Sequence, residues 1–205
     1  MLTVKKAMDR LREGNARYLR GLQRSHLFDN RRKELISGQA PFAVILSCSD
    51  SRVPPEIVFD QGLGDLFVVR VAGNVVDPVL IGSVEYAVAN LSTRLVLVLG
   101  HTNCGAVAAT VDALKQPGGD CSPNVASLVE RIRPSVEPLL QTEIGDDRDE
   151  LIRQSVRGNV QASVEQLKAN SAVLRNEIDQ NDLAIAGAEY SLETGEVDFF
   201  HECLS

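Results

Sequence analysis

The sequence predicts an α/β fold in a single domain, a parallel sheet with helices on both faces. Three observations carry this. Short, continuously apolar runs recur at 42–47 (FAVILS), 66–73 (LFVVRVAG) and 94–101 (RLVLVLGH), and strands apolar on both faces belong to a sheet covered on both sides. Helical patterns separate or follow them at 79–91 (VLIGSVEYAVANL) and 104–114 (CGAVAATVDAL), the alternation of an α/β chain. A chain of 205 residues with 44% hydrophobic composition can bury one sizeable core.

The elements follow in order. Residues 3–20 set Val4, Ala7, Met8, Leu11, Ala16 and Leu19 among many charges, an amphipathic helix ended by Gly21. With the polar stretch behind it, 1–38 reads as an N-terminal helical arm and 39–205 as the α/β core. The first strand begins after Pro41. Residues 115–124 (KQPGGDCSPN) form a loop by composition. Beyond it, 124–141 and 148–180 are expected as helices, with Pro134 and Pro138 interrupting the first. The closing DLAIAGAEYSLETGEVDFF gives a strand, a turn at Glu193-Thr194-Gly195 and a second strand, hence a hairpin. There is no internal repeat and no low-complexity segment.

A formal net charge of -7 argues against a nucleic-acid partner, which needs a clustered excess of Lys and Arg to meet phosphate. No apolar run reaches the roughly 18 to 20 residues that cross a bilayer, and MLTVKKAMDRLREGNARYLRG is charged throughout with no apolar h-region. The expectation is a cytoplasmic protein with no membrane partner. Four cysteines, Cys48, Cys104, Cys121 and Cys203, are too few and too unevenly spaced for a secreted disulfide framework, so metal binding or thiolate chemistry is expected of any that cluster.

Two clusters lie at the C-terminal ends of predicted strands, where open α/β sheets place their ligands. In CSDSR, Cys48, Asp50 and Arg52 alternate; residues two apart on an extended segment share a face at roughly 6 to 7 Å. In GHTNCG, His101 and Cys104 are three residues apart at a strand end running into a helix start, so one tight turn can aim both at a single ion. Two thiolates and an imidazole suit tetrahedral zinc, and three protein ligands leave a fourth position open, the pattern of a catalytic site. Amides opening the next helix, near Gly105, favour the Cys104 thiolate. Singly, each cysteine reads equally well as a small buried hydrophobe; jointly, flanked by Gly, Ser and Asn, they do not. Cys121, in a Gly/Pro loop, and Cys203, two residues from the end of the hairpin, are expected to have no part in the site, and His26 and His201, which lack partners at ligand spacing, to be packing or surface residues.

These residues resemble those of the β-class carbonic anhydrases. The likeness covers nearly the whole chain, from LREGNARYLRG through GQAPFAVILSCSDSRVPPEIVFDQGLGDLFVVRVAGN and GSVEYAVANL to VLGHTNCGAV and LAIAGAEYSLETGEV. The CxDSR and HxxCG motifs, just over fifty residues apart, are highly specific together. The resemblance implies a mainly parallel four-stranded sheet extended by an antiparallel strand, and dimers or tetramers in which the N-terminal helix reaches over the partner subunit. It implies reversible hydration of carbon dioxide to bicarbonate and a proton by a zinc-bound hydroxide, with one Zn²⁺ per subunit held by Cys48, His101 and Cys104. Asp50 and Arg52 become the family's dyad. Gln39, Phe67 and Tyr86 correspond to residues lining the substrate pocket, often across the dimer interface, and Gly105 follows the last ligand.

Two departures bear on the pocket. Many members read RNVAN where this chain has Arg70-Val71-Ala72-Gly73-Asn74, putting Ala72 where a pocket wall is often valine. A regulated branch binds bicarbonate at a separate inhibitory site that uses a tryptophan in the first strand. Ile45 stands there and the chain has no tryptophan, so that site is expected to be absent or altered.

The chemistry gives the alternating trio distinct tasks. Two thiolates neutralise the formal charge of the metal and make it a weaker Lewis acid. Asp50 compensates by accepting a hydrogen bond from the attacking oxygen and orienting it, while Arg52 pins the carboxylate, keeps it ionised and keeps it off the metal. Released by Arg52, Asp50 is near enough to become a fourth ligand, a closed state expected at lower pH. Carbon dioxide offers no charge, so the pocket should be narrow and apolar, a need that Phe67 meets as readily as it fills a sheet core. Carbonyl sulfide or carbon disulfide hydrolysis on the same scaffold shares the ligand motifs and stays open. So does a zinc-holding redox protein with Cys48 and Cys104 as a thiol pair. A cysteine-nucleophile enzyme leaves the second cysteine without a task.

Overall fold

The computed structural model describes residues 2–24, 31–116 and 121–201. His26, Cys203 and the side chain of His201 lie outside what is described. Helix α1 spans Val4–Leu19, α2 Arg31–Glu34 and strand β1 Ala43–Cys48; α3 (Pro55–Val58), β2 (Leu66–Val71), α4 (Pro78–Leu91), β3 (Leu95–His101) and α5 (Gly105–Lys115) follow. Then come α6 (Pro123–Leu140), α7 (Arg148–Asn170), α8 (Ala172–Asn181) and the hairpin β4 (Ala184–Tyr190) and β5 (Val197–His201). The sheet runs β2-β1-β3-β4-β5, parallel through β4, with β5 antiparallel at the edge. The α/β class, the covered parallel sheet and the added antiparallel strand are as expected.

Two apolar layers sandwich the sheet. Ala43, Ile45, Leu95, Leu97 and Leu99 face α1 and α3, while Val44, Leu46, Val96 and Val98 face α4 and α7. A third cluster under α5, α6 and α7 holds Cys48 and Cys104 beside Val107, Ile132, Val136 and Val156. The two cysteines thus sit where the helical layer meets the strand ends.

Three boundaries differ from the sequence reading. Helix α6 is not interrupted by Pro134 and Pro138. The prolines lie four apart on its exposed side, where carbonyls deprived of a helical donor can meet water, and burial of Val129, Ile132 and Val136 on the other side outweighs a proline cost of about 3 kcal/mol each. The segment 148–180 is two helices, because Ser171 leaves the helical region at φ -125° and ψ 112° and caps α8 by accepting from the Leu174 amide. Strand β2 stops at Val71 instead of 73, since Gly73 (φ 70°) and Asn74 (φ 44°) turn the chain out of the sheet.

Helix α1 is capped by Thr3 and seats Ala7, Met8 and Leu11 in its own chain's core. Asn15 ties it down, donating to the carbonyls of Val58 (3.2 Å) and Gly195 (3.0 Å) and accepting from the Val197 amide (3.1 Å). Gly14 makes this approach feasible: a Cβ there would lie 1.8 Å from the Phe59 carbonyl oxygen. Alanine at a helix interior is worth about 1 kcal/mol over glycine, but pressing it into fixed backbone costs more, up to about 3 kcal/mol. Gly14→Ala is therefore expected to lower the thermal unfolding midpoint by about 4–8 °C, measurable by calorimetry, although Gly→Ala in a helix ordinarily raises it.

Candidate metal centre

Cys48 ends β1 and His101 ends β3, neighbouring parallel strands. The chain leaves β1 for β2 on one side and returns to β3 on the other, so the gap between β1 and β3 is the topological switch point, where loops from the two strands diverge and open a crevice. Past His101, Asn103 adopts a left-handed conformation (φ 55°), which reverses the chain so that Cys104 becomes the N-cap of α5. The ligand atoms of Cys48, His101 and Cys104 then lie within 4.8 Å of one another, all three residues buried.

The two sulfurs are 4.0 Å apart, too far for a disulfide, and both cysteines are free. Two thiolates each about 2.3 Å from a tetrahedral zinc stand about 3.8 Å apart, so the spacing suits that ion. His101 is fully buried. Its Nδ1 lies 2.9 Å from the Thr102 carbonyl, a pure acceptor, so Nδ1 carries the proton and Nε2 presents a lone pair. That buried Nε2 has no hydrogen-bond partner among the described residues, an expensive orphan unless an ion takes the lone pair. The Thr102 carbonyl is steadied because the Thr102 amide donates to the Tyr190 carbonyl (3.0 Å) and its hydroxyl accepts from the Leu192 amide (2.9 Å).

The electrostatics favour a thiolate at Cys48. The shared hydrogen bond with Cys104 above all, helped by the nearby His101 ring and the Gly73 amide, holds the Cys48 thiol well below its usual range against the opposing effect of burial. Within the bare pair the shared hydrogen bond and burial keep the proton on Cys104, opposed by the Ala106 and Val107 amides at the start of α5. Burial resists charging of His101, but the neighbouring Cys48 sulfur outweighs it and raises its pKa.

Asp50 and Arg52 meet as a fork: Nε donates to Oδ1 at 2.9 Å and Nη2 to Oδ2 at 2.7 Å, while the Arg52 amide also donates to Oδ1 at 2.9 Å. Arg52 above all, through its side chain and its amide, holds the Asp50 carboxyl far below the ordinary carboxylate range. Asp50 Oδ2 stands 3.8 Å from His101 Nε2, at the rim of the three candidate ligands.

The fold gathers Cys48, Asp50, Arg52, His101 and Cys104, but within one chain it does not bring Gln39, Phe67 or Tyr86 to them. Phe67 pairs with Val44, four residues or about 13 Å along the strand from Cys48. It meets Tyr86 with ring centroids 6.2 Å apart, and Tyr86 is 51% exposed. Gln39 is exposed ahead of β1, Gly105 opens α5 behind Cys104, and Cys121 is exposed and not a member of the three-residue group.

Sequence reasoning missed the groups that hold the ligand loop. Arg70 donates to the Cys48 carbonyl (3.0 Å) and the Asp50 carbonyl (2.6 Å), and the Gly73 amide donates to Cys48 Sγ (3.3 Å). An arginine inside the apolar run FVVRV was the available signal for the first. The second had none, since it depends on a backbone turn.

Comparison with known proteins agrees with this geometry. A family model described as carbonic anhydrase matches residues 43–197. The chain is 44% identical over 189 residues to carbonic anhydrase 2 of Mycobacterium tuberculosis, covering 90% of this chain and 87% of that one. It is also 44% identical over 191 residues to a carbonic anhydrase of Mycolicibacterium smegmatis, covering 92% and 89%. Among solved structures it superposes on the β-carbonic anhydrase CcaA with a TM-score of 0.74 at 27% identity, covering 96% and 92%. A tetrameric β-carbonic anhydrase of Sordaria macrospora superposes with a TM-score of 0.74 at 25% identity, covering 82% and 85%.

Proposed function

The chain belongs to the β-class carbonic anhydrases, and from that premise we propose that it hydrates carbon dioxide reversibly at a zinc ion held by Cys48, His101 and Cys104. The observation that carries this reading is the convergence of two buried sulfurs and an unpartnered imidazole nitrogen within 4.8 Å. When bound, the ion supplies Lewis acidity that lets water ionise near neutral pH.

The chain's own residues do the rest. Asp50, kept ionised by Arg52, is an acceptor in mildly acid as well as neutral solution. At the rim of the ligands it takes a hydrogen bond from the attacking oxygen and turns a lone pair toward carbon dioxide. Because Arg52 engages both carboxylate oxygens, Asp50 is restrained from swinging inward to become a ligand. Arg70, gripping carbonyls on either side of Ser49, holds the loop that presents Asp50. Gln39, Phe67 and Tyr86 complete the pocket from a partner subunit, in a homodimer or homotetramer. The exposure of Gln39 and Tyr86 and the pairing of Phe67 with Val44, four residues along the strand from Cys48, support that reading.

The test is stopped-flow hydration with metal analysis on purified protein, before and after chelation. The expected result is about one zinc per chain, activity lost on chelation and restored by zinc, and turnover of carbon dioxide well above that of carbonyl sulfide or carbon disulfide. Hydration that survives complete removal of metal contradicts the proposal.

A further inference from the structure

The middle of α7 is polar where it should be apolar. Ser155, Asn159 and Ser163 recur every four residues on its buried face, each at most 2% exposed, between Ile152, Val156, Val160 and Val164. Two of the three have a specific task. Asn159 Nδ2 donates to the Gly73 carbonyl at 2.7 Å, and Ser163 Oγ donates to the Asn74 carbonyl at 3.0 Å. Those carbonyls belong to the turn after β2, where Gly73 and Asn74 both have positive φ. Positive φ is uncommon outside glycine, though asparagine tolerates it better than most residues, and partners that hold such a turn favour its persistence. The turn is also tightly walled: a Cβ on Gly73 would lie 2.7 Å from Ile132 Cδ1 and 3.1 Å from the Ala106 Cβ. Its product is the Gly73 amide, which donates to Cys48 Sγ at 3.3 Å.

We propose that Asn159 and Ser163 are positioning residues for the metal centre, which clamp the 73–74 turn to α7 so that the Gly73 amide stays aimed at the Cys48 sulfur. The inference rests on the zinc reading above. An N–H···S bond draws electron density from the thiolate and fixes its direction. In a site with two thiolates, where the metal is short of Lewis acidity, this restores part of what sulfur ligation removes. Loss of a partner to a ligand in this way typically costs about 10- to 100-fold in metal affinity or activity.

The experiment compares Asn159→Ala, Ser163→Ala and Ser155→Ala in the full chain. Ser155 is the control, because its buried hydroxyl makes no hydrogen bond among the described residues. Two quantities are read: the sulfur-to-cobalt charge-transfer band after cobalt substitution, and the rate of zinc release to a chelator. Asn159→Ala is expected to shift the band and speed release by about 10-fold or more, Ser163→Ala to do the same more weakly, and Ser155→Ala to leave both unchanged. Should Asn159→Ala fail to fold, Ser163→Ala decides the matter alone. Wild-type bands and release rates in the clamp variants, with only a lowered melting temperature, overturn the inference and leave the zinc reading standing. A wild-type chain that takes up neither cobalt nor zinc overturns both.

Discussion

Cys104→Ser is expected to strip the protein of zinc and of hydration activity together. A structural zinc site with four ligands is worth about 10–16 kcal/mol at neutral pH, so one ligand carries on the order of 3 kcal/mol, about two decades in affinity. Serine is nearly isosteric, yet its hydroxyl does not ionise near neutral pH as a thiol does. The amides at the start of α5, which pull the Cys104 thiol toward ionisation against burial and its bond with Cys48, give an un-ionised hydroxyl much less. The remaining pair, Cys48 and His101, cannot enclose an ion. Metal content should fall below about a tenth of an equivalent after dialysis, and stopped-flow rates to the uncatalysed background. The fold should persist, because Cys104 contributes only a small side chain to a cluster that includes Val107, Ile132, Val136 and Val156; circular dichroism checks this. Full metal and full turnover in Cys104→Ser would refute the ligand assignment.

Asp50→Ala is expected to separate the two properties, with zinc kept and turnover lost. Asp50 is not among the three clustered ligands and lies at their rim, so its removal leaves the metal site whole. What disappears is the ionised acceptor that orients the attacking oxygen, a task typically worth 10²- to 10⁴-fold; kcat should fall by about that factor at an unchanged metal content. Arg52, 55% exposed at its side chain, is left in solvent, so little stability should be lost. Asp50→Asn keeps the shape but presents an amide, and should fall nearly as far. If either variant retains wild-type turnover, Asp50 has no part in the chemistry.

Much of this was legible from the chain alone because it was encoded locally. Apolar runs such as FAVILS and RLVLVLGH announce buried parallel strands, and a cysteine, an aspartate and an arginine at every second position announce a shared purpose at a strand end. The errors came where local rules compete with tertiary contacts. Pro134 and Pro138 should break a helix, yet α6 runs through them because its other face is buried. The extended run through Gly73 ends early because α7 supplies hydrogen bonds that stabilise a left-handed turn. Asn159 stands more than eighty residues from the turn it holds, and no period or spacing reveals such a pair.

By itself, then, the sequence determined which chemical groups stand at the candidate site. Which side chains are soft donors, which one is an acceptor and which a fixed cation are properties of residue type, and their placement at strand ends follows from hydrophobic pattern. Only the tertiary structure decided that they meet. Cys48 and His101 adjoin because β1 lies between β2 and β3, and that order is set by packing two apolar layers onto one twisted sheet. The same packing left His101 Nε2 buried without a partner and turned the Gly73 amide onto Cys48, because helices seated on those layers carry polar groups to places that the chain's own neighbours cannot reach.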